Sequence, residues 1–502
     1  MLGKSIIPLV PIDGGLNTNS KPWLIGTSES QKCVNFDIGR EDSQGSLIKR
    51  NGYIKDNTTQ YVTGVTTSIY RHDGTPHTHR FASQTGSETL VHSWLANSGM
   101  FPSRTKYRYV RDTANYLVSH HSGSKFYYTD YSGATVGITA TLGVNTVWFQ
   151  TFSGTMYMTS ADIAMKEWNG GAIANTAGTP PSNADGGLEV YANRLWTAKD
   201  NTLSSSALNN ASDWTTVNNS FSTTVGNKNT DKIRRIISQG SRLLIFKENL
   251  IYALYGNAAS NFYVELLTEL TGIASPRSAV CIDGTVFFRG RDGVYVLTER
   301  ATTPEFVSQK IKSKFDEQTN TTSCCGMIYK DQYWLTYTNQ SVTDGVLVLY
   351  YKLGKWAEYR GMPNEALYSY VDIPYGGKNG RVYTLETGLA DDGSGINIQY
   401  KSPALAYGDL SKDKQFDKTY VSALTNGTHT LSVDHYVDFV SKSDTKTIPL
   451  MVDTTGQLLV TEKLNWGQGA VGKLEEIEIS ETSTYSVEIF GITSYATVLE
   501  DK

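Results

Sequence analysis

A chain of 502 residues is too long for one simple core, so several domains or a repeat array are expected. With 39% hydrophobic and 19% charged residues and a net charge of only −4, it reads as a folded protein, and wholesale wrapping of nucleic acid by a basic surface is excluded. Its 31 tyrosines and 45 glycines suit half-buried strands and tight turns, so the composition leans to all-β.

Residues 1–58 read as an arm. The run Ile6-Ile7-Pro8-Leu9-Val10-Pro11 is too short and too proline-broken for a signal sequence. No stretch reaches the ~18 apolar residues of a membrane span, so no membrane anchor is expected. Ser28 and Gln31 have capping-box spacing, which predicts a short helix carrying Cys33 and Val34. Residues 47–53, Leu-Ile-Lys-Arg-Asn-Gly-Tyr, read as a strand and a turn.

Residues 59–390 repeat. Ile251-Tyr252-Ala253-Leu254, Val294-Tyr295-Val296-Leu297 and Val382-Tyr383-Thr384-Leu385 each follow a turn signal, and their tyrosines stand at multiples of nearly the same interval. A strand-turn-strand unit returning every ~40–45 residues is the period of a β-propeller blade. Strand openings at 68–70, 116–119, 147–150, 189–192, 233–237, 279–282, 326–329 and 367–371 predict six to eight blades, with seven favoured. Strand 47–53 is expected to complete the last blade beside 381–385, because closure removes exposed edges. Thr303-Pro304 followed by Val307, Ile311 and Phe315 predicts one helix. Tyr252, Tyr295 and Tyr383 are expected to pack between blades.

Asp391-Asp392-Gly393-Ser394-Gly395 reads as a linker. Beyond it, residues 396–502 have no arginine, and 9 lysines face 15 acidic residues. Their strand-like runs predict a separate, mildly acidic antiparallel β-sandwich used for docking. The four cysteines, Cys33, Cys281, Cys324 and Cys325, form no C-x-x-C pair and are read as reduced thiols.

Chemistry is sparse. His72, His77 and His79 lack further ligands at zinc spacing, so no metal or cofactor is expected. Ser160-x-Asp162 with Trp168 has the outline of a sialidase turn, but Ala164 stands where glycine is needed and the box does not recur. Neither a glycosidase carboxylate pair nor a nucleotide loop is visible, so no catalytic residue is assigned and an enzyme is not expected. Two basic clusters stand out. Arg104, Lys106 and Arg108 share one face of a strand, and Lys228, Lys232, Arg234, Arg235 and Arg242 form the second. Either could meet phosphate or an acidic protein surface, so both are candidate interface or DNA-channel positions.

Several segments in order resemble the packaged-DNA stabilisation and tail nozzle proteins of short-tailed bacteriophages. They are Pro11–Thr18, Gln31–Asn35, Lys49-Arg50-Asn51-Gly52-Tyr53, Leu244–Tyr252, Phe287–Tyr295 and Lys355-Trp356-Ala357-Glu358-Tyr359. The resemblance covers roughly residues 10–390. It implies a virion tail protein, assembled in the bacterial cytoplasm as a ring of identical subunits, a hexamer by this likeness. Such a ring extends the head-to-tail channel and helps to retain DNA. Its implied partners are portal-side adaptor proteins, a tail fibre or spike, and duplex DNA in the channel. The competing expectation is a phage receptor-binding or glycan-binding tail protein, with Trp94, Trp148 and Trp466 as candidate sugar-stacking rings.

Overall fold

Alternation along the strands builds two cores at once. All five residues of Arg242–Phe246 are buried. Leu243 and Ile245 join a core with Trp196, Leu203 and Ile236, whereas Leu244 and Phe246 join another with Val286 and Phe288. Successive side chains leave a strand on opposite faces. This sheet is therefore covered on both sides by neighbouring sheets, which is how propeller blades pack.

The computed structural model describes residues 4–39, 45–55, 66–73, 79–83, 89–91, 107–111, 115–121, 125–129, 135–139, 142, 145–169, 172–226, 231–370, 373–440, 444–452, 458–467 and 469–499. Between 66 and 139 it describes backbone path alone, apart from Ile69. The chain is all-β with a propeller arrangement. Five four-stranded antiparallel sheets each come from one stretch of chain: 66–139, 148–175, 188–224, 235–268 and 280–306. The first carries an inserted three-stranded sheet of His79–Ser83, Thr89–Val91 and Tyr107–Arg111.

Two further four-stranded units are composite. Ala366–Tyr370, Ile373–Lys378 and Arg381–Leu385 take their fourth strand, Tyr53–Lys55, from the arm. Gly326–Tyr329, Gln332–Tyr337, Gly345–Tyr350 and Lys355–Tyr359 continue through Lys32–Val34 into Ile396–Lys401, Glu475–Ser483, His429–Val437 and Asp444–Leu450, making one nine-stranded sheet. Self-contained blades thus number five, against the six to eight read from the sequence. A repeat period counts units of chain and cannot show which units borrow or share strands. The first strands of adjacent units lie side by side from Thr66–Asp73 round to Ala366–Tyr370, which returns to Thr66–Asp73.

Other expectations are corrected. Leu47–Lys49 does not enter the last blade. It pairs with Val487–Val498 and Phe36–Asp37 in a second C-terminal sheet, and only Tyr53–Lys55 reaches Arg381–Leu385. That second sheet also holds Lys414–Thr425, Leu458–Asn465 and the first strand of the chain, Lys4–Leu9. Residues 396–502 therefore do not stand apart, because arm strands are built into both of their sheets. Glu29–Ser30 and Lys32–Val34 are strands where a helix was expected, since their backbone groups are needed for pairing. Pro304 leads into an outer strand, Glu305–Phe306, and the helix is confined to a 3₁₀ turn at Gln309–Ile311 and Lys312–Asp316. Its apolar stripe still works, with Ile311 and Phe315 buried.

Candidate functional site

Three places combine unusual chemistry with a defined geometry. The first is the propeller axis. Innermost strands converge on a partly open cavity of about 220 Å³, walled by Val147, Phe149, Leu188, Val280 and Leu367 and adjoining a second of about 330 Å³. Both share Glu189 and Arg235. Arg235 Nη2 donates to Glu189 Oε1 at 2.8 Å, and the two side chains keep only 11% and 16% exposure. The Arg235 guanidinium lies 4.5 Å from the Trp148 ring centroid, within range of a cation–π contact. Its Nε is buried and makes no hydrogen bond. Burial pushes the Glu189 carboxyl above the usual carboxylate range, with the Arg235 charge opposing. Arg277 closes one end, donating to the carbonyls of Glu365 and Ser323 at 3.0 and 2.6 Å.

The second place is a clamp made from Lys49-Arg50-Asn51-Gly52-Tyr53. Arg50 is fully buried and spends all five of its N–H groups. Two go to the Asp391 carboxylate at 2.8 and 2.6 Å, and the rest to Asn35 Oδ1 and the carbonyls of Asn51 and Arg360. Lys49 is buried against Glu481 and Ser483. Gly52 exchanges backbone bonds with Gly388 and Thr387, and an added Cβ would stand 1.9 Å from the Ala390 carbonyl oxygen. Tyr53 donates to Gly361 O and meets Tyr383 edge-on at 5.4 Å. One five-residue segment thus ties the arm, both composite units and the 391–395 turn.

The third is an exposed apolar cluster. Pro22–Leu24 is a 3₁₀ turn held by Ala404 N–H to Pro22 O. It sets Trp23 at 5.8 Å from Phe439. Trp23, Leu24, Phe439 and Val440 remain 43%, 69%, 45% and 63% exposed. Asp438 and Phe439 both adopt positive φ, 52° and 61°, a conformation strained for a bulky residue. The Asp438 carboxylate fixes this turn by accepting from Lys473 and Leu474 N–H at 2.8 Å each.

A buried polar knot between the C-terminal sheets has the residue types of a catalytic triad but not the wiring. His435 Nε2 and the Ser494 and Tyr407 hydroxyls all meet the Glu475 carboxylate. A nucleophile needs its base on the hydroxyl, whereas Ser494 donates to the acid. His435 also stacks on Trp466 at 4.5 Å, inside the core. Among the described residues no group of three His, Cys, Asp or Glu could hold a metal. No described helix is long and apolar enough to cross a membrane.

The sequence candidates scatter. Arg104, Lys106 and Lys228 lie outside the described residues, as do His77 and Trp94, and of Arg108, His72 and His79 only the backbone is described. The second basic cluster splits. Lys232 pairs with Asp200 and Arg234 with Glu248 on the exposed surface, Arg242 is buried against Gln239, and only Arg235 reaches the axis. Tyr252 sits against the core of Trp196, Tyr295 stacks on Phe288, and Tyr383 packs on Tyr53. Asp162 ties its loop to Asn145, and Trp168 is core. Glu189 and the Trp23–Phe439 cluster were not singled out in the sequence. A lone carboxylate in Leu-Glu-Val-Tyr gives no signal of burial, and residues some 400 apart give none of contact.

No family model matches the chain, and no curated protein matches it. Among solved structures it is similar to the extracellular domain of a proposed one component system from B. thetaiotaomicron, at 12% identity and TM-score 0.43 over 86% of this chain. The chain spans 60% of the length of that structure. It is also similar to Sqt1 of Saccharomyces cerevisiae, at 11% identity over 67% of this chain and 98% of the other, TM-score 0.41. A third, BBS1N in complex with ARL6DN, has 10% identity over 66% and 99%, TM-score 0.37.

Proposed function

We propose that this chain is a structural subunit of a ring in the tail of a short-tailed bacteriophage, extending the DNA channel and helping to retain packaged DNA. The observation that carries a subunit role is the exposed Trp23–Leu24–Phe439–Val440 cluster on a strained turn. An apolar patch held out at a cost in backbone strain fits a surface that becomes buried on assembly. The ordered resemblance to nozzle proteins supplies the kind of assembly. The seven side-by-side first strands support a seven-unit propeller in which the two composite units close the circle. The two C-terminal sheets, sharing buried Phe416, Val421, Val433 and Ile477, support a β-sandwich fused to it. The propeller's own axis is narrowed to cavities of about 220 and 330 Å³, so DNA passage falls to the space enclosed by several subunits.

Native mass spectrometry of the purified chain tests this. A closed ring is expected, a hexamer by resemblance, with neighbouring adaptor and fibre proteins and duplex DNA as its partners. Trp23→Asp with Phe439→Asp should give folded monomers. A wild-type chain that stays monomeric and binds host-cell glycan would replace this reading with the receptor-binding one.

A further inference from the structure

We propose that a second cavity, away from the axis and formed where three consecutive units meet, is a binding site for a sugar acid: a small polyhydroxylated molecule with one carboxylate. This does not depend on the tail-ring reading.

The cavity holds about 550 Å³, within the range of small-molecule sites. The 235–268 unit contributes Arg234, Glu248 and Asn249. Arg291 and the lead-in residues Ile273, Ala274 and Pro276 come from the 280–306 unit, and Thr321 and Thr322 precede the strand Gly326–Tyr329. Backbone bonds fix these walls. Ile273 N–H donates to Lys247 O and Ala274 N–H to Arg289 O, both at 2.9 Å. The Asp231 carboxylate accepts from Glu248 and Asn249 N–H at 3.0 Å each, which holds their turn. Little ordering of the backbone is left for a ligand to impose.

The lining divides in two. Ile273, Ala274 and Pro276 offer an apolar surface to the C–H face of a sugar ring. The remaining residues offer polar groups, most of them unused by the protein. Among the described residues, the Thr321 and Thr322 hydroxyls, the Asn249 amide and the Arg291 guanidinium make no hydrogen bond, and Arg291 makes no ion pair. Hydroxyl and amide groups both donate and accept, as the alcohols of a sugar require. Arg234 is already answered, its Nη2 donating to Glu248 Oε2 at 3.0 Å. Arg291 is therefore the recognising group, and its planar fork matches a carboxylate through two parallel bonds. A phosphate dianion is disfavoured, because its second charge meets Glu248 in the same lining.

Isothermal titration of the whole chain with glucuronate, glucose, acetate and inorganic phosphate tests the assignment. One glucuronate should bind per chain, at least about tenfold tighter than any of the other three. Arg291→Gln should weaken glucuronate at least about tenfold. Arg300→Gln, an exposed arginine outside this lining, should change nothing. Thr322→Trp fills the cavity from an exposed position and should abolish binding. Circular dichroism checks that the variants are folded. Glucuronate binding no tighter than glucose or acetate, equal binding by phosphate, or binding that survives Arg291→Gln or Thr322→Trp would each overturn the proposal. If a variant fails to fold, the ranking of the four probes on the wild type decides without it. A monomer that titrates as stated refutes the ring and not this site, and a ring that ignores glucuronate does the reverse.

Discussion

The sheet at 235–268 and the sheet ending at Arg381–Leu385 share a four-strand plan and differ in how they are held. The first is finished within one stretch of chain and meets its neighbours through apolar faces and a few ties such as Gln239, which donates to the carbonyls of Gly284 and Leu297. The second lacks an outer strand until Tyr53–Lys55 arrives from over 300 residues away. Burial of side chains suffices where the strands are local. Where a distant strand must be recruited, the entropy of ordering the arm has to be offset by specific bonds, and Arg50 and its neighbours supply them. The composite units are thus the place where propeller, arm and C-terminal sheets become one cooperative structure.

Breaking the clamp should do the most damage. Arg50→Ala leaves Asp391 buried without its cation, a loss of roughly 3–5 kcal/mol for a broken buried pair. Urea unfolding should then show the last blade and C-terminal sheets melting before 188–306. The pH dependence has a definite sign. Burial holds the Asp391 carboxyl above its ordinary value even with Arg50 opposing. A raised folded pKa means that protonation favours the folded state. The Arg50→Ala defect should therefore be largest at neutral pH and shrink as pH falls through that raised value. A defect that grows towards acid would show that Asp391 is not the group left stranded.

Gly52→Ala probes the same junction sterically. Its Cβ would meet the Ala390 carbonyl, and backbone cannot give way as a side chain can, so about 1–3 kcal/mol is expected, as for overpacking. Gln239→Ala is the matched lesion among self-contained blades, removing a donor to two carbonyls and the acceptor of Arg242 Nε, also about 1–3 kcal/mol. The two should separate by hydrogen exchange. Gly52→Ala should speed exchange in the arm and the C-terminal sheets, whereas Gln239→Ala should act on 235–306 alone. Equal spreading in both variants would remove the distinction between the two kinds of unit.

Glu358 sharpens the electrostatic side of the comparison. Burial alone would push its carboxyl up, but Lys314 and Arg360, at 2.9 and 2.8 Å, hold it below the ordinary glutamate value. A lowered folded pKa gives stability that is present above the unfolded value, about 4.3, and is lost as pH falls through the folded one. Glu358→Gln should therefore be less stable than wild type at pH 7 and converge with it in acid, the same direction as Arg50→Ala for a different reason.

The propeller was legible because its signals are local: a strand, a turn and a tyrosine repeat within one unit of chain. The clamp was visible only as a motif, Lys49-Arg50-Asn51-Gly52-Tyr53, because its partners Asp391, Glu481 and Gly361 are distant in sequence. The register error followed from that. Leu47–Lys49 and Tyr53–Lys55 look like one strand, yet Gly52 lets the chain pass from one sheet to another. The 391–395 run has linker composition, but two of its residues, Asp391 and Asp392, are used in the junction.

The smallest effects should come from the residues that looked most functional by charge. Lys232, Arg234 and Arg235 lie almost adjacent in sequence, and alternation divides them. Lys232–Asp200 and Arg234–Glu248 are pairs between solvent-exposed side chains, where water and salt screen the attraction. Lys232→Ala and Arg234→Ala should leave the unfolding midpoint unchanged within error. Arg235→Ala, one position further, strands Glu189 beside the axis and should lower the midpoint clearly. If all three variants behave alike, the cluster acts as one surface patch, and the separation of axis from rim drawn from the strand geometry is wrong.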